Sequence, residues 1–100
     1  MSLQAAFIFL APEADANNHR AMVRTPQVEL TVVGVANYAE AERAAKSLVD
    51  QGIAAIELRG FGVAGAARIA RAVDGKAAAG VVRFDGHPGL GEKSGDATAA

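Results

Sequence analysis

The chain contains no cysteine and no tryptophan, three prolines and one tyrosine, and only 5% of its residues are aromatic. Without cysteine there are no disulfides, no thiol nucleophile and no thiolate metal site. With so few aromatics the core must be built from small and branched aliphatic side chains. Alanine makes up about a quarter of the chain, and such small side chains let helices sit close on a sheet. The formal net charge is −1, and acids and bases are mixed along the sequence. That balance excludes the basic patch of a nucleic-acid or membrane-surface protein. No apolar run approaches the ~20 residues of a membrane span. The start, MSLQAAFIFLAP, is apolar but lacks the basic n-region of a signal peptide. A cytoplasmic location is the expectation these absences leave. The 100 residues are read as one domain, 1–100, able to bury roughly two thirds of its surface.

Four apolar runs stand out: AAFIFLA (5–11), VELTVVGV (28–35), IAAIEL (53–58) and AGVVRF (79–84). The first is almost continuously apolar and suits a strand covered on both faces of a parallel sheet. Between the second and third runs the helix signals are strong. Asn37 can cap, Glu40 stands at the third helical position, and Ala41, Ala44, Ala45, Leu48 and Val49 share one face. Gly52 supplies the stop. A second helix carries Val63, Ala66, Ala67, Ile69, Ala70 and Val73 and ends at Gly75. A third is placed between Asp15 and Arg24, with Met22 and Val23 inward and Thr25-Pro26 ending it. The order is therefore βαβαβαβ.

The expected fold class is α/β, a four-stranded, mainly parallel sheet. The flavodoxin-like order 2-1-3-4 is favoured because it puts the most apolar strand inside; the alternative is the sequential order 1-2-3-4, a barrel fragment. Crossovers of this length return the chain for a parallel partner and are right-handed. In the favoured order one helix covers one face and two cover the other. The thinner face would be partly bare, which points to a homo-oligomer. The final stretch, residues 90–100, is small and polar and reads as a loose tail.

GFGVAG, Gly60 to Gly65, matches the pattern G-x-G-x-x-G between a strand and a helix. Three readings fit. Glycines can relieve sterics in a tight strand-to-helix turn. The turn can bind a phosphate or carboxylate at the helix N-terminus. It can belong to a dinucleotide site, with Asp85 at the ribose. The chain is too short for the usual six-stranded dinucleotide domain, and Glu57 and Arg59 are unusual before a pyrophosphate turn.

The charges at the ends of the third and fourth strands are more informative. Glu57 and Arg59 share a side by the period of two, and Arg83, Asp85 and His87 alternate likewise. Ligands of open α/β sheets bind outside the carboxyl ends of the strands. There, Gly60, Phe61 and Gly62 would form a backbone cradle, and Arg59 and Arg83 would clamp an anion in bidentate fashion. Glu57 would line the same site. His87, with Asp85 orienting it, would handle a proton. The alternative is a structural network in which Glu57 pairs with Arg83 across the ladder, or charges that join subunits. In that alternative His87 is a loop histidine bonded to backbone. Asp85, His87 and Glu57 lack any metal-ligand spacing, so no metal is expected, and no cofactor is assigned. His19 is expected on the solvated side of its helix, and Tyr38 is expected to pack at a helix start.

AAFIFLAPEAD, VELTVVGV, IELRGFGVAGAARIARAV and VVRFDGHPGLGEKSGD together resemble a family of small bacterial proteins of unknown function. The resemblance spans residues 5–96 and implies a shared α/β fold. It implies no reaction, substrate or catalytic residue. At Gly86 the family pattern favours another residue, often cysteine. The leading expectation is a small cytosolic α/β protein that binds a small anionic metabolite at the carboxyl edge of its sheet, with or without catalysis. Its rival is an assembly subunit without catalysis. A nucleotide-cofactor enzyme is a third reading.

Overall fold

The computed structural model describes residues 2–100; Met1 lies outside them. The elements in chain order are β1 (Leu3–Leu10), β2 (Arg20–Arg24), β3 (Val28–Val35), α1 (Tyr38–Asp50), β4 (Ala55–Arg59), α2 (Val63–Val73), β5 (Ala78–Val82), a 3₁₀ turn (Pro88–Leu90) and α3 (Gly95–Thr98). They form one mixed five-stranded sheet in the order β2-β3-β1-β4-β5. The β1/β3, β1/β4 and β4/β5 pairs are parallel, and β2/β3 is antiparallel.

The sheet corrects two expectations. It has five strands rather than four, and the helix expected over 15–24 is a run of turns followed by β2. β1 must return the chain to its starting end before β3 can run parallel to it. Here the return trip lies in the plane of the sheet. Residues 11–19 turn at the top, β2 descends, and Thr25–Gln27 reverse into β3. The Thr25 amide donates to Val28 O at 2.8 Å, and the Val28 amide donates to Thr25 Oγ1 at 3.0 Å. Pro26 sits where no ladder hydrogen bond is needed. His19 is exposed before β2, where its Nδ1 accepts the Asp15 amide at 2.9 Å.

The helices follow from their caps and apolar spacing. Asn37 Oδ1 accepts the Glu40 amide at 2.8 Å and starts α1. The Glu40 side chain does not close a capping box. Its Oε1 accepts the Ala16 amide instead, at 2.7 Å, and ties the 11–19 loop to α1. Tyr38, Ala41, Ala45 and Leu48 are the buried positions of α1. Gly52, at φ +97°, takes the chain out of it. Gly65, Ile69 and Val73 are buried on α2, which ends at left-handed Asp74 and Gly75. The two helices pack against each other, and their facing side chains bring Arg68 and Glu42 into an ion pair.

Both helices lie on one face of the sheet. Ala6, Ile8 and Leu10 of β1, Val33 and Val35 of β3, and Ile56 and Leu58 of β4 point into that layer and form the core with the helix residues. Because β2, and not a helix, makes the first crossover, no helix among the described residues covers the opposite face. Strand alternation and register put Phe7 and Phe9, Leu30 and Val32, Ala21 and Val23, Ala55, and Val82 on that uncovered face. The expected cover of one helix on the second face is thereby replaced by none. The segment over 90–100, expected as a loose tail, is anchored at three points: Leu90, Gly95 and Ala99 are buried. Ala99 O accepts the Tyr38 amide at 2.9 Å.

Candidate functional site

The GFGVAG turn owes its glycines to three different contacts. Gly60 turns the chain off β4 at φ +84°, a conformation that costs a side-chain-bearing residue roughly 1 kcal/mol or more. A Cβ on Gly62 would run into the Asp96 carboxylate, and one on Gly65 would run into the Tyr38 ring. Phe61, between them, is fully buried and stacks on Tyr38, with ring centroids 5.1 Å apart and planes 10° apart.

The N-terminus of α2 is occupied by the chain's own anion. Asp96 Oδ2 accepts the Ala64 amide at 3.0 Å, and Oδ1 accepts the Gly65 amide at 2.9 Å. Tyr38 Oη donates to Asp96 Oδ1 at 2.6 Å and accepts the Gly62 amide at 3.1 Å. Ser94 Oγ accepts the Asp96 amide at 2.9 Å and fixes the carboxylate's approach. A carboxylate against first-turn amides is where the helix dipole favours negative charge. Burial works to raise the Asp96 pKa, but the hydrogen bonds from Tyr38, Gly65 and Ala64 outweigh it and hold the group below its ordinary value. Burial of the Tyr38 phenol, reinforced by its bond to the Asp96 carboxylate, pushes it up to about 12. A single carboxylate thus joins the C-terminal segment, the start of α1 and the start of α2.

β4 and β5 do run parallel and side by side, yet the expected site residues divide among three places. Gly60, Phe61 and Gly62 are buried beneath the C-terminal segment. Glu57 and Arg59 stand on the uncovered sheet face. They pair with each other at 3.5 Å, and the Arg59 guanidinium lies 4.9 Å from the centre of the Phe7 ring. β5 ends at Val82, so Arg83, Asp85 and His87 follow it in a loop rather than alternating along a strand. Arg83 pairs with Asp85 at 2.9 Å, both well exposed. The ladder pair between Glu57 and Arg83 does not form; each takes a partner two residues along its own segment. Among the described residues no hydrogen bond or ion pair joins Asp85 to His87. His87 Nδ1 instead accepts the Gly89 amide at 2.9 Å, which places the proton of the neutral ring on Nε2. The His87 ring rests on Phe84 at 4.5 Å. Gly86 fits because a Cβ there would stand 2.9 Å from Glu92 O.

No group of three His, Cys, Asp or Glu side chains that could hold a metal ion occurs among the described residues. Among the described residues no helix is long and apolar enough to cross a membrane. Two residues missed from sequence shape this region most: Asp96, and the hydroxyl of Tyr38, read only as a packing ring.

A mixed sheet with two helices on one side defines a two-layer α/β protein whose second sheet face is uncovered. The chain belongs to DUF6506, a family of unknown function, whose model matches residues 3–97. No curated protein and no solved structure is matched.

Proposed function

We propose that the chain works as a subunit of a homodimer in which the uncovered sheet faces pack on each other. The observation that carries this reading is the apolar row across that face. Val32, Phe7 and Gly80 lie in register around Glu57, and Leu30, Ala5, Ala55 and Ala78 form the next row. Five strands at about 4.8 Å spacing, each five to eight residues long at about 3.3 Å per residue, make a face on the order of 500 Å². That is at the upper end of the roughly 300–600 Å² usual for the largest apolar patch on a monomer, and patches of that size are often functional. Two such faces together reach about 1,000 Å², where specific interfaces begin.

The charges on the face suit a second copy better than an unrelated partner. Glu57 and Arg59 sit two residues apart on one strand. A two-fold axis between them sets each against its opposite in the other subunit, as an isologous contact requires. The chain's net charge of −1 adds almost no long-range repulsion.

This reading stands ahead of an anionic metabolite at the strand ends, because such a ligand would have to displace Asp96 to reach Gly60–Gly62. Sedimentation velocity tests it. The parent chain is expected to run as a dimer at micromolar concentration. Val32→Lys should run as a folded monomer. A parent that stays monomeric at several hundred micromolar, or a Val32→Lys variant that stays dimeric, overturns it.

A further inference from the structure

One cavity lies neither at the strand ends nor on the uncovered face. It lies on the helix side of the sheet, between α1 and the β2–β3 edge, with a volume of about 350 Å³. Its position follows from the in-plane crossover: α1 lies over β1 and β3, and β2 extends the sheet beyond the helix. Val33, Ala44 and Leu48 supply apolar lining, and Asn17, Arg20, Arg43 and Ser47 supply polar groups. At this volume it falls at the small end of ligand pockets, which run from about 300 to 1,000 Å³.

Its hydrogen-bonding groups are unevenly satisfied. Two carboxylates also line it, but both are engaged: Asp15 accepts from the Asn17 amide and Asn18 Nδ2, and Glu40 accepts from the Ala16 amide. Arg24, Arg59, Arg68 and Arg83 each have a carboxylate partner. Arg20 and Arg43, like Arg71 outside the cavity, have none within 4.0 Å among the described residues. Two guanidinium groups therefore line one cavity with their donors unmatched, beside an apolar lining. Guanidinium recognises planar or tetrahedral oxyanions in bidentate fashion.

We propose that this cavity binds a small organic oxyanion, with its carboxylate or phosphate held by Arg20 and Arg43 and a short apolar body lying on Val33, Ala44 and Leu48. The site is independent of the dimer face, because Val33 and Arg20 share the opposite side of the sheet.

Amide and arginine Nε resonances of the ¹⁵N-labelled full chain would be followed by NMR during titration with four probes. These are acetate, 4-methylpentanoate, inorganic phosphate and propyl phosphate. For at least one head group, the probe with the apolar body is expected to bind at least tenfold more tightly than its bare counterpart. Saturable shifts should centre on Asn17, Arg20, Arg43 and Ser47. Binding should weaken at least tenfold in an Arg20→Ala, Arg43→Ala double variant; both residues are exposed, so the fold should survive, as circular dichroism would check. The pair of head-group series separates a carboxylate ligand from a phosphate one. The proposal is overturned if no probe saturates, if the apolar body makes no difference for either head, if the shifts centre elsewhere, or if the double variant binds as well as the parent.

Discussion

Replacing Asp96 with alanine removes one carboxylate and leaves three donors without their partner: the Tyr38 hydroxyl and the amides of Ala64 and Gly65. A hydrogen bond to a charged group contributes about 1.5–3 kcal/mol, and an unmatched buried donor costs a similar amount. Simple addition would overshoot. Ala64 is exposed and water can replace its bond, whereas Tyr38 is only 2% exposed. A loss of about 2–4 kcal/mol is therefore expected, which for a domain of this size is a fall in Tm of roughly 10–20 °C. Urea denaturation at pH 7, followed by far-ultraviolet circular dichroism, measures it. Asp96→Asn should lose less, because its amide oxygen can still accept from Tyr38 and Gly65. Formate should recover part of the alanine variant's stability by seating at the vacated amides. A loss below about 0.5 kcal/mol would mean that the carboxylate merely rests on the turn, and the reasoning would fail.

Four further outcomes are expected. The folded Asp96 pKa lies below its unfolded value, so its stabilisation is present at neutral pH and lost as pH falls through the folded pKa; Tyr38 is raised to about 12, so its contribution holds below about 10 and is lost as pH rises through about 12. Denaturation curves across pH should show the parent losing both margins and the Asp96→Ala variant lacking the acid-side one. Gly65→Ala should destabilise by about 1–3 kcal/mol in thermal melts despite alanine's helix propensity, because its methyl group would collide with Tyr38. Arg68→Ala, which breaks the partly exposed pair with Glu42, should cost no more than about 1 kcal/mol by urea denaturation. NAD should produce no thermal shift, since the turn that matches the dinucleotide pattern already holds Asp96.

Much of the scaffold was legible because its signals are local. Asn37, the apolar spacing of Ala41, Ala45 and Leu48, and Gly52 delimit α1 with no help from tertiary contacts. VELTVVGV coincides with β3. RAMVR was misread because an edge strand exposed along its whole length has no face to bury and so no period-two signature. Its alanine and methionine also suit a helix. The usable signal is Thr25-Pro26, a turn between two short β-forming runs that also suits a helix end. Missing β2 also hid how bare the second face is.

The candidate site was harder for a different reason. Gly60, Gly62 and Gly65 announce a crowded turn, but the pattern does not say what crowds it. Asp96 lies 31 residues from Gly65 along the chain, in a stretch whose small polar residues read as tail. No spacing rule links the two. The charges of Glu57, Arg59, Arg83 and Asp85 suit an anion site and a Glu57–Arg83 ladder pair equally well on spacing alone; the pairs that form close within their own segments, because β5 stops at Val82 and lets the next residues leave the sheet. The Arg20 and Arg43 cavity was out of reach, since it exists only where β2 outruns α1.

Isotope-filtered NOE spectroscopy on an equal mixture of labelled and unlabelled chains addresses the self-association directly. Cross-peaks between copies are expected from the Phe7 and Phe9 rings to the Leu30 and Val32 methyl groups. Cross-peaks between copies confined to α1 and α2, or none from a sample with the 10.2 kDa mass of one chain, would contradict pairing through the uncovered face.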